Sequence, residues 1–241
     1  MTFYHVAYNI YIASLLFACI CSIFRFKRLD TASRVLAVLV CCALLNESAA
    51  YYIAFKYHNN LSLYSIYCFI EFGILCVYFN TLIDVFIKKN IGIYIGVIGI
   101  TLGIINLVFL QHLNSFNSYF LFFEDLSVIG MSLFAFFRML LKEDDVLLLY
   151  QYPHFWFISI LVFFWSITFF NWGLYNYINM KLTSAIKINT AAFIVGTITY
   201  VSFGFVFLFY PKNTKPQWQI NISYRYLWPA PYCWPFSRFF L

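Results

Sequence analysis

Three glutamates occur inside long apolar segments of the chain, where an ionisable side chain is costly and therefore indicates a function. They are Glu47, Glu71 and Glu124. A charged side chain at the centre of a bilayer costs about 2.5–3.5 kcal/mol on insertion scales. Carboxyl groups in such a place can bind a cation, or they can stay neutral and hydrogen-bond a neighbouring helix. Which of these applies depends on the elements that position them.

The elements that carry these glutamates are predicted to be membrane-spanning helices. Of the 241 residues, 63% are hydrophobic and 10% are charged, whereas soluble domains have roughly 25% charged residues. Because a spanning helix needs about 20 mostly apolar residues, the chain predicts seven helices. They lie approximately at 3–24, 35–55, 61–86, 91–111, 117–141, 155–178 and 189–210. The predicted fold class is all-α: a polytopic bundle of seven transmembrane helices.

The distribution of Lys and Arg predicts how this bundle is oriented. With the N-terminus outside, only Lys56, Lys181 and Lys187 of the 15 basic residues fall on the external side. The other basic residues fall on the cytoplasmic side, which is the asymmetry that the positive-inside rule describes. The sequence therefore predicts an external N-terminus and a cytoplasmic C-terminus.

Residues 211–241 differ in composition from the seven-helix domain predicted for residues 1–210. They contain five of the six prolines, three of the six tryptophans, four basic residues and no acidic residue. Proline at this density prevents a regular helix. Two interpretations stay open: a cytoplasmic tail whose aromatic side chains lie in the lipid headgroup layer, or a docking segment for a protein partner.

The three glutamates are predicted to lie at one depth in the bilayer. Counting 1.5 Å per residue from the ends of predicted helices 2, 3 and 5 places them roughly 10–15 Å below the external surface. No Lys or Arg lies at that depth to neutralise them. Polar residues of the same layer complete the predicted ligand-binding set, which is Glu47, Glu71, Glu124, Asn46, Tyr67, Asp125, Asn106 and Asn171.

Further polar residues accompany this layer. Tyr64, Tyr67 and Glu71 are spaced so that they share one face of predicted helix 3, and His58 and His112 lie in the external loops. The pattern predicts an acidic cavity open to the outside, which favours a proton, a metal ion or an organic amine. In the alternative interpretation each carboxyl group is protonated and hydrogen-bonds a neighbouring helix.

Four glycines follow one face of predicted helix 4 and indicate close helix packing. They are Gly92, Gly96, Gly99 and Gly103. Small residues at such spacing let a second helix approach closely. We expect that this stripe packs inside the bundle rather than against a second copy of the chain.

The sequence lacks the motifs of the common enzyme classes. HExxH, GxSxG, GxGxxG, the P-loop and paired-cysteine metal motifs are all missing. Six of the seven cysteines lie in apolar runs and are interpreted as packing residues. A retinal protein needs a lysine in the middle of its seventh helix, and predicted helix 7 (189–210) contains none. We therefore expect no enzyme activity, no cofactor and no nucleic-acid partner, since the basic residues are scattered in short loops.

Three stretches of the chain, taken as a set, resemble segments of other membrane proteins. They are Asn59-Asn-Leu-Ser-Leu-Tyr-Ser-Ile-Tyr67 with Glu71-Phe72, Phe116-Asn117-Ser118 with Glu124, and Pro153-His-Phe-Trp156. Over roughly residues 5–175 the chain resembles uncharacterised seven-helix inner-membrane proteins of Bacteroidota. The resemblance implies a bacterial inner-membrane location and a seven-helix topology, and it implies no activity.

Three functions remain compatible with the predicted cavity. A receptor or sensor would bind a small cation, proton or amine and pass a helix rearrangement to the cytoplasmic loops and tail, where a protein partner reads it. A small transporter would use the same carboxylates for proton-coupled or cation-coupled transport, and discontinuous helices would be its structural sign. A non-catalytic membrane anchor or complex subunit is the third, because protonated glutamates can join helices.

Overall fold

Seven helices in the described part of the chain are long and apolar enough to cross a membrane. The computed structural model describes residues 2–111, 117–142, 149, 151–173 and 182–211, and these residues contain no β-strand. The helices are α1 (Thr2–Arg25), α2 (Thr31–Tyr57), α3 (Leu61–Leu82), α4 (Asp84–Lys89), α5 (Ile91–Phe109), α6 (Ser118–Lys142), α7 (Pro153–Thr168) and α8 (Leu182–Leu208). All except the short α4 are candidate membrane spans. The predicted fold class, an all-α bundle of seven transmembrane helices, is confirmed.

Some predicted features lie outside the described residues. They are the tail from residue 212 onward, His112 in the loop after α5, and the part of predicted helix 6 beyond residue 173. The division into residues 1–210 and 211–241 therefore stays a prediction.

The start of α2 lies earlier than hydropathy alone predicts. The helix begins at Thr31 rather than at residue 35, because Asp30 is its N-cap and accepts a hydrogen bond from the Ser33 amide at 2.9 Å. Such a cap satisfies one of the amide groups that a helix start leaves without a partner. At the other end, His58 adopts a left-handed conformation with φ 56°, which terminates the helix.

Two of the predicted helices are interrupted. Predicted helix 3 (61–86) divides at Ile83, whose extended backbone separates α3 from α4. Predicted helix 6 begins at Pro153, the favoured place for proline in a helix, and its α-helical part ends at Thr168. A π-helical segment, Phe169–Gly173, continues it. Hydropathy does not detect either change because it averages over a window of residues, whereas each break is a local change of backbone conformation.

The spanning helices close into a ring. Helix α1 packs against α2, α2 against α3, α6 against α7 and α7 against α8, and α8 returns to α1. Helix α3 also contacts α6, so α5 lies outside the ring against both of them. Six helices therefore surround one interior, toward which each can direct polar side chains.

The bundle has two faces that can be told apart by their contacts. We call the end that contains Thr2 the N-terminal face. Because successive spans run in opposite directions, the α5–α6 connection lies at this face, where Asn106 bonds Asn117 at 2.7 Å. The opposite face contains the α1–α2 turn and the start of α7, where Asp30 bonds His154 at 2.8 Å.

The glycine stripe lies on the buried side of α5, as expected. All four of its glycines are buried. A Cβ atom added at Gly99 would lie 2.4 Å from the Phe72 ring of α3 and 2.6 Å from the Phe123 ring of α6. The stripe therefore lets α5 seat between these two helices, and the prediction that it packs inside the bundle is confirmed.

Replacing Gly92 by alanine is expected to destabilise the bundle by about 1–3 kcal/mol, the usual cost of overpacking. A Cβ atom there would lie 2.6 Å from the backbone oxygen of Cys76, which cannot move without shifting α3. Gly130→Ala is the matched control, because nothing lies within 4 Å of its added Cβ atom. Thermal unfolding in detergent measures both, and equal melting temperatures for the two variants would contradict this packing.

Candidate functional site

Glu47 on α2 is held by tyrosines from both neighbouring helices. The Tyr11 hydroxyl of α1 donates to Glu47 Oε1 at 3.1 Å, and the Tyr64 hydroxyl of α3 donates to Oε2 at 3.1 Å. A carboxylate offers about four acceptor sites. These two hydrogen bonds therefore orient the carboxyl group and leave part of its accepting capacity for a ligand.

Aromatic rings from α1, α2 and α8 pack together next to Tyr11, one of the two partners of Glu47. The Tyr8 ring centroid lies 6.3 Å from that of Tyr51 on α2 and 5.3 Å from that of Phe193 on α8. The Tyr4 ring, one turn earlier on α1, lies 5.4 Å from Phe193. Both Tyr4 and Tyr8 interact electrostatically with Glu47. We call the set Tyr4, Tyr8, Tyr11, Tyr51 and Phe193 the aromatic cluster.

A second group of carboxyls lies on α3 and α6. Glu71 interacts electrostatically with Glu124 and Asp125, and also with Glu47. Glu124 is 2% exposed, and neither of its carboxyl oxygens has a hydrogen-bond partner among the described residues. Asp125, also 2% exposed, accepts a hydrogen bond from Thr168 of α7 at 2.8 Å. We call Glu71, Glu124 and Asp125 the carboxyl cluster.

Two tyrosines connect Glu47 with the carboxyl cluster. Tyr67, one turn before Glu71 on α3, interacts electrostatically with Glu71 and Glu124. Tyr200 on α8 interacts with both Glu47 and Glu71, and its ring centroid lies 5.8 Å from that of Tyr11. Side chains from α1, α2, α3, α6, α7 and α8 thus meet in the interior of the ring.

The arrangement is chemically unusual because it brings together acids without bases. Among the described residues, the groups that interact with Glu71 and Glu124 are carboxyls, tyrosines and cysteines, and none is a Lys or Arg. Unpaired carboxylates in an apolar interior carry a large desolvation cost, so each needs a proton or another cation. Among the described residues, no group of three or more His, Cys, Asp or Glu side chains is placed to hold a metal ion.

The structure places the predicted ligand-binding residues at different distances from this interior. Glu71 lies within electrostatic reach of the other four, which are Glu47, Glu124, Asp125 and Tyr67. Asn46, which precedes Glu47 in the sequence, has a buried side chain. Its amide nitrogen has no hydrogen-bond partner among the described residues. Asn171 lies in the π-helical segment after α7, which packs against α6. The role of all these residues in ligand binding stays a prediction.

Asn106 belongs to a separate polar network at the α5–α6 connection. Its side-chain amide donates to Gln111 Oε1 at 2.9 Å and to Asn117 Oδ1 at 2.7 Å. Gln111 in turn donates to Ser118 Oγ at 3.2 Å. These hydrogen bonds hold the start of α6 and favour a structural role for Asn106 over the ligand-binding role predicted from its depth.

Asn106→Leu is expected to lower the melting temperature by roughly 2–12 °C, since the buried Asn117 oxygen loses its donor at about 1–3 kcal/mol and the half-buried Gln111 loses one of its hydrogen bonds. Because the network is separate from the carboxyl groups, the variant should keep any cation response of the wild-type protein. Thermal unfolding with and without the cation measures both quantities. Loss of the response at an unchanged melting temperature would instead restore Asn106 to the ligand site.

A buried ion pair lies at the opposite face. His154 Nε2 of α7 and Asp30 Oδ2 are 2.8 Å apart, with side chains 7% and 21% exposed. Burial by itself disfavours the Asp30 carboxylate, but the hydrogen bond and the charge of His154, together with hydrogen bonds from Ser33, lower the pKa of Asp30 well below its usual range. Ser33 also donates to the Tyr210 hydroxyl at 3.3 Å, so this face joins α2, α7 and the end of α8.

Sequence reasoning missed several of these residues. Tyr4, Tyr8 and Tyr11 follow the helical spacing i, i+4, i+7, a signal that predicts one shared face of α1. The pairing of Asp30 with His154 has no comparable signal, because 124 residues separate the two side chains.

The comparisons with known proteins found no protein family, no curated protein and no solved structure that matches this chain.

Proposed function

We propose that this protein is a membrane receptor or sensor that binds a small cation, a proton or an organic amine between the helices of the ring. One observation carries the proposal. Glu124 is almost completely buried beside two other carboxyl groups, and neither of its oxygens has a hydrogen-bond partner among the described residues. A bound cation supplies the compensation that the protein itself does not.

The orientation of the site follows from the positive-inside distribution of Lys and Arg. We propose that the N-terminal face is external, so that the site lies in the outer half of the bilayer, and that the C-terminus is cytoplasmic. The resemblance stated above supports a bacterial inner membrane as the location. In this orientation a cytoplasmic protein partner would contact the basic, Pro/Trp-rich tail and respond to a change in the conformation of the helices.

Helix α7 is the element proposed to transmit the signal. Thr168 near one of its ends bonds Asp125 of the carboxyl cluster, and His154 at the other end bonds Asp30. His154 and Thr168 are about 21 Å apart along the axis of α7 at 1.5 Å per residue. A cation that draws Asp125 away from Thr168 would release α7 at the N-terminal face and shift the Asp30–His154 contact at the cytoplasmic face.

A transporter is the second candidate, and the interrupted helix favours it. The π-helical segment Phe169–Gly173 directly follows Thr168, the partner of Asp125. Departures of this kind from α-helical geometry are frequent at functional sites, and transporters often bind their substrates at discontinuous helices. The two candidates share the site and differ in whether the cation crosses the membrane.

Thermal unfolding of the detergent-purified protein tests the shared site. The titration covers pH, Na⁺, K⁺, Mg²⁺, Ca²⁺ and methylated amines, for the wild type and for the triple variant Glu47→Gln, Glu71→Gln, Glu124→Gln. A cation at 100 times its Kd should stabilise the wild type by about 2.7 kcal/mol, or roughly 5–11 °C, and the triple variant not at all.

Two outcomes would redirect the proposal. If neither protein responds to any cation or to pH and both are equally stable, the carboxyl groups are neutral links between helices and the anchor interpretation applies. If the wild type responds, flux into liposomes separates the candidates. Uptake of the stabilising cation by the wild type, but not by the triple variant, would contradict the receptor proposal and support the transporter proposal.

A further inference from the structure

On the basis of the proposed function, we infer that the ligand is an organic ammonium ion, held between the Glu47 carboxylate and the aromatic cluster. Both oxygens of Glu47 accept a tyrosine hydroxyl, and one of these donors, Tyr11, belongs to the aromatic cluster.

The rings come from three helices, and Tyr11 connects them to the Glu47 carboxyl group. Tyr8 is stacked on Tyr51 with an interplanar angle of 16°, and it meets Phe193 edge to face at 64°. The Tyr11 ring lies 5.4 Å from the Phe193 ring. Tyrosines are common at membrane interfaces, but an interfacial belt does not account for Tyr11, whose hydroxyl donates to Glu47 between the helices.

The charge of Glu47 suits a monovalent organic cation. Its two oxygens each accept one tyrosine hydroxyl, from Tyr11 and Tyr64. These donors compensate part of the negative charge and fix the carboxyl group, and the Tyr8 and Phe193 rings lie 6.4 Å and 5.4 Å from the Tyr11 ring. Carboxylate and aromatic faces together form the environment in which proteins bind alkylammonium groups.

The surroundings suit an ammonium ion better than a small inorganic cation. Hard cations such as Ca²⁺ and Mg²⁺ require several oxygen ligands to replace their water shell. An alkylated ammonium ion is weakly hydrated and carries its charge on an apolar surface, so ring faces can replace its water without direct coordination. The Tyr200 ring of α8, 5.8 Å from the Tyr11 ring, extends this aromatic lining beyond the cluster.

The probe is tetramethylammonium chloride, compared with KCl at equal ionic strength, and the readout is thermal unfolding in detergent. Tetramethylammonium is expected to raise the melting temperature of the wild type in a saturable manner that KCl does not reproduce. Glu47→Gln should abolish this response. Tyr8→Phe keeps the ring and should retain the response, whereas Tyr8→Leu removes the ring and should weaken the apparent affinity by about 2- to 30-fold.

Tyr51→Leu serves as a second ring-removing variant if Tyr8→Leu does not fold, because the Tyr51 side chain is 64% exposed and tolerates truncation. A response to protons or inorganic cations that requires the carboxyl groups, with none to tetramethylammonium, would overturn the ammonium inference and leave the proposed function standing. A tetramethylammonium response that is equal in Tyr8→Phe and both leucine variants would also overturn it. No response to any cation would overturn both.

Discussion

Glu124→Gln is expected to weaken cation binding by about 30- to 3,000-fold while leaving the bundle folded. Removing one partner of a buried charge pair costs about 2–5 kcal/mol, and each 1.4 kcal/mol is a factor of ten. Glutamine has the shape of a protonated glutamate, so the packing around the side chain is preserved. The variant also relieves the interaction of Glu124 with Glu71 and Asp125.

Titration of the melting temperature with the stabilising cation gives the apparent affinity of each variant. Asp84→Asn is the matched control, because this carboxyl group begins α4 near the opposite face. The Asp84→Asn variant should bind the cation with the same affinity as the wild type. Unchanged affinity in Glu124→Gln would mean that the carboxyl cluster does not contact the ligand, and the site would then reduce to Glu47 and its tyrosines.

Asp30→Ala is expected to produce the largest loss of stability, about 3–5 kcal/mol, or roughly 6–20 °C in melting temperature. The substitution leaves His154 buried without its carboxylate partner, 2.8 Å away in the wild type. It also removes the N-cap of α2, where Asp30 accepts a hydrogen bond from the Ser33 amide. Caps of this kind contribute about 1 kcal/mol.

Asp30→Asn separates the two effects, because asparagine caps a helix as well as aspartate does but carries no charge. The difference between the alanine and asparagine variants therefore measures the cap. His154→Gln and the double variant Asp30→Asn, His154→Gln complete a double-mutant cycle for the pair. A coupling free energy near zero would show that the contact does not hold α2 and α7 together.

The stability that Asp30 contributes should also depend on pH in a defined direction. Its pKa is lowered in the folded protein, so the contribution is fully present above the unfolded-state pKa of about 3.9 and is lost as the pH falls below it. The difference in melting temperature between the wild type and Asp30→Asn should thus shrink as the pH falls below about 3.9. A difference that grows in acid would contradict this ion pair.

A common depth in the bilayer for Glu47, Glu71 and Glu124 is predicted from the lengths of their helices, and it stays a prediction. Such a prediction is possible because the rise of an α-helix is constant at 1.5 Å per residue. The glycine stripe was likewise predictable, because only small residues at a fixed spacing permit helices to approach so closely.

The rotation of each helix about its axis could not be predicted. In a bundle where nearly every face is apolar, hydropathy does not distinguish a side chain that faces lipid from one that faces another helix. For this reason the participation of Tyr11 and Tyr200 in the site was missed. Asn106 is a second example. Its depth predicts a place in the ligand site, but its side chain hydrogen-bonds Gln111 and Asn117.

The sequence by itself determined that this chain is a bundle of seven apolar helices with acidic groups inside the membrane, because helix length and hydrophobic content are local properties that the bilayer selects. Only the tertiary structure decided that α8 closes the ring onto α1 and that Asp30 meets His154. It also decided that Glu124 is buried without a hydrogen-bond partner among the described residues. The physical reason is that contacts between distant segments depend on helix rotation and packing, which no local pattern of residues encodes.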